Sequence, residues 1–334
     1  MTGRVRQFGV TDDGKPVAVI DLKSSQLHAR VLTYGATLQD LRLAGVPWPL
    51  TLGSDLLAAY QGPMRYAGAI VGPVANRIGG GVAVIGGRPC TFDLNEPRAT
   101  LHGGVGGTSA QVWRIEQVND SAATLALDLP HGLGGFPGHR QIRAHYALDG
   151  KALTLTLEAT TDAPTLMNLA PHSYWALDGR PTTEGQILTV AADRYTPTDD
   201  DKLPTGAVDS VAGTVFDLRQ GRRLEPVAHH DINLCLADAA GPLRPVARLQ
   251  GLSGVTLTLA TTAPGLQVYD GAGLDTGHFP GLTGQAHRAF AGIALEPQLW
   301  PDAVHHLGFP SHLLEKGETF RQVTRYILDR PEPA

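Results

Sequence analysis

Hydrophobic and polar positions alternate with a period of two along much of the chain. Between Lys151 and Thr160, Leu153, Leu155 and Leu157 fall on one face, with Thr154, Thr156 and Glu158 on the other. Val255, Leu257 and Leu259 repeat the pattern around Thr256 and Thr258, and Leu125, Leu127 and Leu129 do so again. Such short, strict alternation predicts half-buried strands of antiparallel sheets, because successive side chains of a strand leave on opposite faces. Glycine and proline clusters, such as Gly79-Gly80-Gly81, Gly86-Gly87 and residues 132–138, bound these runs as turns. Helical signals are few. Ser54 is placed to cap a short helix over 55–60, and 302–306 reads as one helical turn. Strands do not alternate with long amphipathic helices, as a parallel α/β sheet requires. No repeat with a period of about 20–50 residues stands out. The expectation is an all-β chain, one large antiparallel domain over 1–334, folded as a sandwich or a closed barrel.

Composition narrows the class. The chain has 334 residues, 42% of them hydrophobic and 18% charged, which supports a sizeable core and excludes a disordered chain. Forty glycines and 24 prolines fit many turns. A net charge of −5 argues against a nucleic-acid partner, which usually meets a basic surplus. Cys90 and Cys235 are too few for a disulfide framework, and no CxxC pair offers a zinc or redox site. The start, MTGRVRQFGV, lacks the apolar core of about 7–15 residues that a signal peptide carries. No run of about 18 apolar residues suggests a membrane span. The expected setting is the cytoplasm, without membrane contact.

Familiar catalytic motifs fail: there is no GxxxxGK[ST] loop, GxSxG elbow or HExxH helix. The tract 103–108 resembles a phosphate loop only in its glycines. His229-His230-Asp231 and His305-His306 invite a metal reading. Neighbours on a strand point to opposite faces, so surface histidines are the simpler account, and no metal is expected.

Four segments place polar groups in apolar surroundings. Residues 292–302 read as a buried strand with Glu296 at its end beside a proline. Desolvation there would raise its pKa into the range of a general base, a solvated strand end being the simpler alternative. Residues 165–179 embed His172 among apolar and aromatic neighbours. It is either a group that gives and takes protons near neutrality or a hydrogen-bonded core histidine. Tyr174 and Trp175 beside it read as core aromatics or as a platform for a sugar ring. Asn76-Arg77 lies between apolar residues and a glycine tract and offers fixed donors for a polyhydroxylated ligand, or braces loops. His102 adjoins glycines that permit close approach of a ligand. Together these supply an acid–base inventory without a nucleophile or a metal cage, which fits proton transfer on a neutral, oxygen-rich small molecule.

At these residues the chain resembles the aldose 1-epimerase (mutarotase) family. The resemblance runs in order through Tyr34-Gly-Ala-Thr-Leu, Ala75-Asn-Arg-Ile, Leu101-His-Gly-Gly, Gly135-Phe-Pro-Gly and Asn168-Leu-Ala-Pro-His-Ser-Tyr. It continues through Tyr195-Thr-Pro-Thr-Asp, Gly213-Thr-Val-Phe-Asp-Leu-Arg, Pro264-Gly-Leu-Gln-Val-Tyr and Leu295-Glu-Pro-Gln-Leu-Trp-Pro-Asp-Ala. It implies a single β-supersandwich of large twisted antiparallel sheets and a cofactor-free exchange of the α and β anomers of a free monosaccharide. It further implies that Glu296 is the general base and His172 the general acid, with Asn76, Arg77, His102, Asp231 and Gln267 holding sugar hydroxyls. The assembly expected is a monomer or a homodimer. Pro171, Trp175-Ala176, Pro73 and residues 271–281 depart from the family's usual residues, and leave every proposed catalytic group in place. Two alternatives remain: a hexose-6-phosphate 1-epimerase-like enzyme, which would need clustered cations for the phosphate, and a sugar-binding module without catalysis.

Overall fold

The computed structural model describes residues 4–227 and 229–331. Antiparallel ladders build three large sheets. The first runs Val5–Val10, Pro16–Lys23, Leu27–Leu32, Leu38–Leu43 in chain order. The largest has nine strands, ordered Arg114–Val118, Ala122–Leu129, Arg140–Asp149, Ala152–Thr161, Phe320–Asp329, Thr256–Thr261, Arg244–Gln250, Ile187–Val190 and Arg222–Arg223. A six-stranded sheet follows the order Tyr174–Trp175, Ile293–Gln298, Gly265–Tyr269, Asp231–Cys235, Arg194–Thr196, Asp209–Ser210.

The alternation read from the sequence becomes one wall of the main core. Leu153, Leu155 and Leu157 are buried, and Thr154, Thr156 and Glu158 between them are half-exposed. They share a cluster with Leu125, Leu127 and Leu129, with Leu257 and Leu259, and with Ile232, Leu234, Leu266, Val268, Ile293 and Leu295 of the six-stranded sheet. Each such side chain removed from water contributes about 1.5–3 kcal/mol. The six-stranded sheet therefore turns one face to the core and leaves the other for chemistry.

Two local expectations need correction. The helix spans Leu57–Gln61, and Leu56 rather than Ser54 precedes it. The Ser54 hydroxyl instead donates to the Pro280 carbonyl and accepts from the Leu56 N–H. Residues 301–304 form turns rather than helix, with the Asp302 carboxylate bonded to the His305 ring at 2.7 Å. The glycines within 103–107 serve close packing: a Cβ on Gly103 would strike the Gly72 carbonyl, and one on Gly107 the His102 carbonyl.

His230, expected at the surface, is buried, as is His312. Burial pushes both imidazoles down to about 4. In the unfolded chain an imidazole titrates near ~6.5. Between those values the unfolded chain takes up protons that the folded chain refuses, so this stability is present above about pH 6.5 and lost as pH falls toward 4. At pH 5 each group should cost about 2 kcal/mol. The Tm should drop between pH 7 and pH 5, and His312→Asn should flatten that slope. An unchanged slope in the variant would contradict the assignment.

Candidate active site

Register assembles the site. Asp231 pairs with Tyr269, Asn233 with Gln267, and Gln267 with Glu296 across adjacent ladders. Their side chains therefore share the face opposite the apolar core. On the far side of the Ile293–Gln298 strand, Tyr174 pairs with Ala294 and Trp175 with Ile293. The same register carried two places beyond the ladder sets His172 opposite Glu296. Glu296 lies within this strand, not at its end as the sequence suggested, and Pro297 is part of the strand too. A proline is tolerated there because, among the described residues, the edge past Ala294 has no neighbouring strand in the sheet.

His172 Nε2 lies 3.5 Å from Glu296 Oε1. The two residues are only 5% and 2% exposed, and His172 Nδ1 and Glu296 Oε2 have no hydrogen-bond partner among the described residues. The backbone of His172 is fixed on its other edge: its N–H donates to the Ala69 carbonyl and its carbonyl accepts from the Gly68 N–H, both at 2.9 Å. The reading of a hydrogen-bonded core histidine thus does not describe this ring.

A second group comes from the Arg77–Gly79 and Ala99–Leu101 pair of short strands. The Asn76 N–H donates to His102 Nδ1 at 3.0 Å, and the His102 N–H returns a bond to the Asn76 carbonyl at 2.9 Å. An accepting Nδ1 places the proton of the neutral ring on Nε2. Asn76 and His102 both have left-handed backbones, at φ 61° and 53°. Such strain persists only where surrounding structure holds it, and it clusters at functional sites. Arg77 Nε and Nη2 donate to the two Glu96 carboxylate oxygens at 2.6 and 2.9 Å. Gln267 Nε2 donates to Asp231 Oδ1 at 2.8 Å.

All seven residues predicted from the sequence line one cleft of about 260 Å³. Tyr66, Leu101, Tyr174 and Tyr269 complete its wall. Tyr269 had a signal: it stands two places after Gln267 on a strand, hence on the same face. Tyr66 had none; its ring lies 4.7 Å from the His102 ring, centroid to centroid, through a loop contact. Trp175 does not shape the cleft, since it is fully buried against Tyr326 on the opposite face of its strand. Pro171 also stays outside the lining, paired with Ile70.

Burial, reinforced by the Asp231 carboxylate and opposed by Arg77, holds the Glu296 carboxyl well above the usual carboxylate range. Burial likewise pushes His172 down to about 4, and puts His102 well below its ordinary value with help from His172 and Arg77. The rings of the His229-His230 pair part, His229 being exposed while His230 is buried, whereas those of His305 and His306 both approach the Asp302 carboxylate, at 2.7 and 3.7 Å. The donors that converge in the cleft are His102, His172 and Glu296, whose ligand atoms lie within 4.8 Å of one another. An ion bound there would occupy the very groups able to move protons.

Comparison with known proteins identifies the family. A family model described as aldose 1-epimerase matches residues 18–327. Galactose mutarotase of Rattus norvegicus is 34% identical over 322 residues, covering 93% of this chain and 94% of its own. Aldose 1-epimerase of Escherichia coli (strain K12) is 31% identical over 333 residues, with coverage of 94% and 96%. The crystal structure of a GalM/aldose epimerase homologue from C. elegans superposes with a TM-score of 0.87 at 28% identity, covering 95% of this chain and 100% of that one. The large antiparallel sheets are those of the galactose mutarotase-like fold, and the chain belongs to the aldose 1-epimerase family.

Proposed function

We infer that this chain exchanges the α and β anomers of a free aldose, with Glu296 as general base and His172 as general acid. The observation that carries the roles is a pair of buried proton-transfer groups 3.5 Å apart in a cleft lined by hydrogen-bonding groups and tyrosine rings. The cleft volume lies below the range of about 300–1,000 Å³ for drug-sized ligands, which suits one small polar ring. The Glu296 carboxylate takes the proton of the C1 hydroxyl, and the freed electron pair forms the C1 carbonyl. The bond from C1 to the ring oxygen breaks, and that oxygen receives the proton of the His172 imidazolium. After rotation about C1–C2, the same transfers in reverse close the ring with the opposite configuration.

Burial favours the neutral forms of both partners, whereas ring opening starts from carboxylate and imidazolium. The two states hold the same number of protons and differ by one transfer between Oε1 and Nε2. The neutral pair is also the state left once the sugar has opened, ready for reclosure. Asn76, Arg77, His102, Asp231 and Gln267 hold the hydroxyls, and Tyr66, Tyr174 and Tyr269 pack against the ring.

Proton NMR of anomer exchange tests the reading, with glucose, galactose, xylose and arabinose as the panel and spontaneous exchange subtracted. Acceleration of at least one sugar is expected; none, with sugar still bound, would favour a binding module. The phosphorylated alternative meets an electrostatic obstacle. The Arg77 charge is already matched by Glu96, and Asp231 adds another carboxylate to the wall. Glucose 6-phosphate should therefore exchange at least about tenfold more slowly than glucose, a barrier difference of ~1.4 kcal/mol. Equal rates would revive the hexose-6-phosphate reading.

A further inference from the structure

The acid and the base sit in a gap between two strands. On one side of the gap, Tyr174–Trp175 pairs with Ile293 and Ala294 in a regular ladder. On the other side no backbone ladder resumes among the described residues. A single side chain takes its place: Asn168 Oδ1 accepts from the Leu299 N–H at 2.9 Å, and Asn168 Nδ2 donates to the Leu299 carbonyl at 3.4 Å. The amide thus mimics one antiparallel residue pair, meeting both backbone groups of one residue. Asn168 is four residues before His172, and Leu299 three after Glu296.

The backbone of the same residue reaches a third segment. Its N–H donates to the Pro73 carbonyl at 2.7 Å, and its carbonyl accepts from the Ala75 N–H at 2.6 Å, next to Asn76. Asn168 is fully buried, so its amide has no water to fall back on. We propose that Asn168 is a positioning residue: its side chain clasps the strand of the base to the segment of the acid and so sets the separation of His172 and Glu296. The proposal rests on the acid–base reading above. Asn168 itself faces the Leu299 backbone and is not part of the cleft lining. Its side chain governs the chemical step, whereas its backbone bonds to Pro73 and Ala75, which locate Asn76, survive any side-chain change.

The test is steady-state kinetics of anomer exchange on Asn168→Ala and Asn168→Asp beside wild type, with folding checked by circular dichroism. Asn168→Ala removes both bonds. Its kcat should fall about 10²-fold, the loss that a misplacement near 1 Å brings, while KM stays within about threefold. Asn168→Asp keeps the side-chain volume and the acceptor for the Leu299 N–H, and burial keeps its second oxygen protonated to donate to the Leu299 carbonyl, so it should retain more kcat than the alanine variant. An unchanged kcat, a rise in KM that matches the loss in kcat, or failure of both variants to fold would overturn the proposal. Glu296→Gln run alongside separates the two readings. If it is inactive while the Asn168 variants turn over normally, only the positioning role fails. If it is fully active, the acid–base reading itself fails.

Discussion

Glu296→Gln should lower enzyme-accelerated anomer exchange by about 10²–10⁴-fold, the usual contribution of a positioned proton-transfer group. Glutamine keeps the length and planarity of the side chain, and position 296 sits inside a ladder with Gln267, so the strand should persist. What disappears is the ability to accept a proton from the C1 hydroxyl. The carboxyl is held well above its ordinary range by burial, which means that the fold works against its charge. Removing that charge relieves desolvation, so Tm should stay level or rise while turnover collapses. Sugar binding followed by titration should survive within about an order of magnitude, since the remaining groups of the cleft are untouched. A variant with near-normal exchange would remove Glu296 from the mechanism. A variant that unfolds would show that the carboxylate holds the strand instead.

The fold was legible where period two governs it. Leu153, Leu155 and Leu157 needed no partner information, because burial of one face is a property of the strand alone. Gln267 came from the family resemblance, and Glu296 was singled out by the apolar run before it rather than by alternation. That run did not reveal that Glu296 lies mid-strand, because a proline ordinarily ends a ladder, and only the missing neighbour past Ala294 explains Pro297. Trp175 and Tyr174 show the limit in reverse. Their adjacency in sequence suggested a common role, yet strand geometry sends one into the core and the other to the cleft.

Partners distant in sequence were out of reach. The clamp of Glu96 on Arg77 depends on the strand after the Pro97 turn pairing with Arg77–Gly79, and no local pattern announces that pairing. The ring of Tyr66 meets His102 through loops that carry no periodicity at all. Asn168 stood in plain view in the Asn-Leu-Ala-Pro-His segment, but its role depends on Leu299, 131 residues away. Electrostatics followed the same division. Burial of the acid and the base was foreseeable from their apolar neighbours, whereas the added effect of Asp231 on Glu296 required the ladder.

His172→Asn should also lose about 10²–10⁴-fold in rate, and it should change the shape of the pH profile as well as its height. In the wild type the working pair holds one proton. Acid adds a second, and burial of His172, pushed down to about 4, delays that step well below the ~6.5 of an exposed imidazole. Alkali removes the last proton, and the raised Glu296 carboxyl sets that limb. The profile of kcat/KM, which reports the free enzyme, should therefore be a bell whose acid limb falls near pH 4, and its two midpoints belong to the pair rather than to either residue. Asparagine can donate a hydrogen bond to the ring oxygen but cannot give up a proton. With it in place only Glu296 remains to titrate, and a base must be ionised to act. The bell should become a single limb that rises with pH through the elevated Glu296 value. Measuring kcat/KM from about pH 3 to 9 for both proteins decides the matter. An acid limb near 6.5 in the wild type, or a bell that persists in the variant, would assign the proton to a different group; His102 is the nearest other imidazole, its ring 5.3 Å from that of His172.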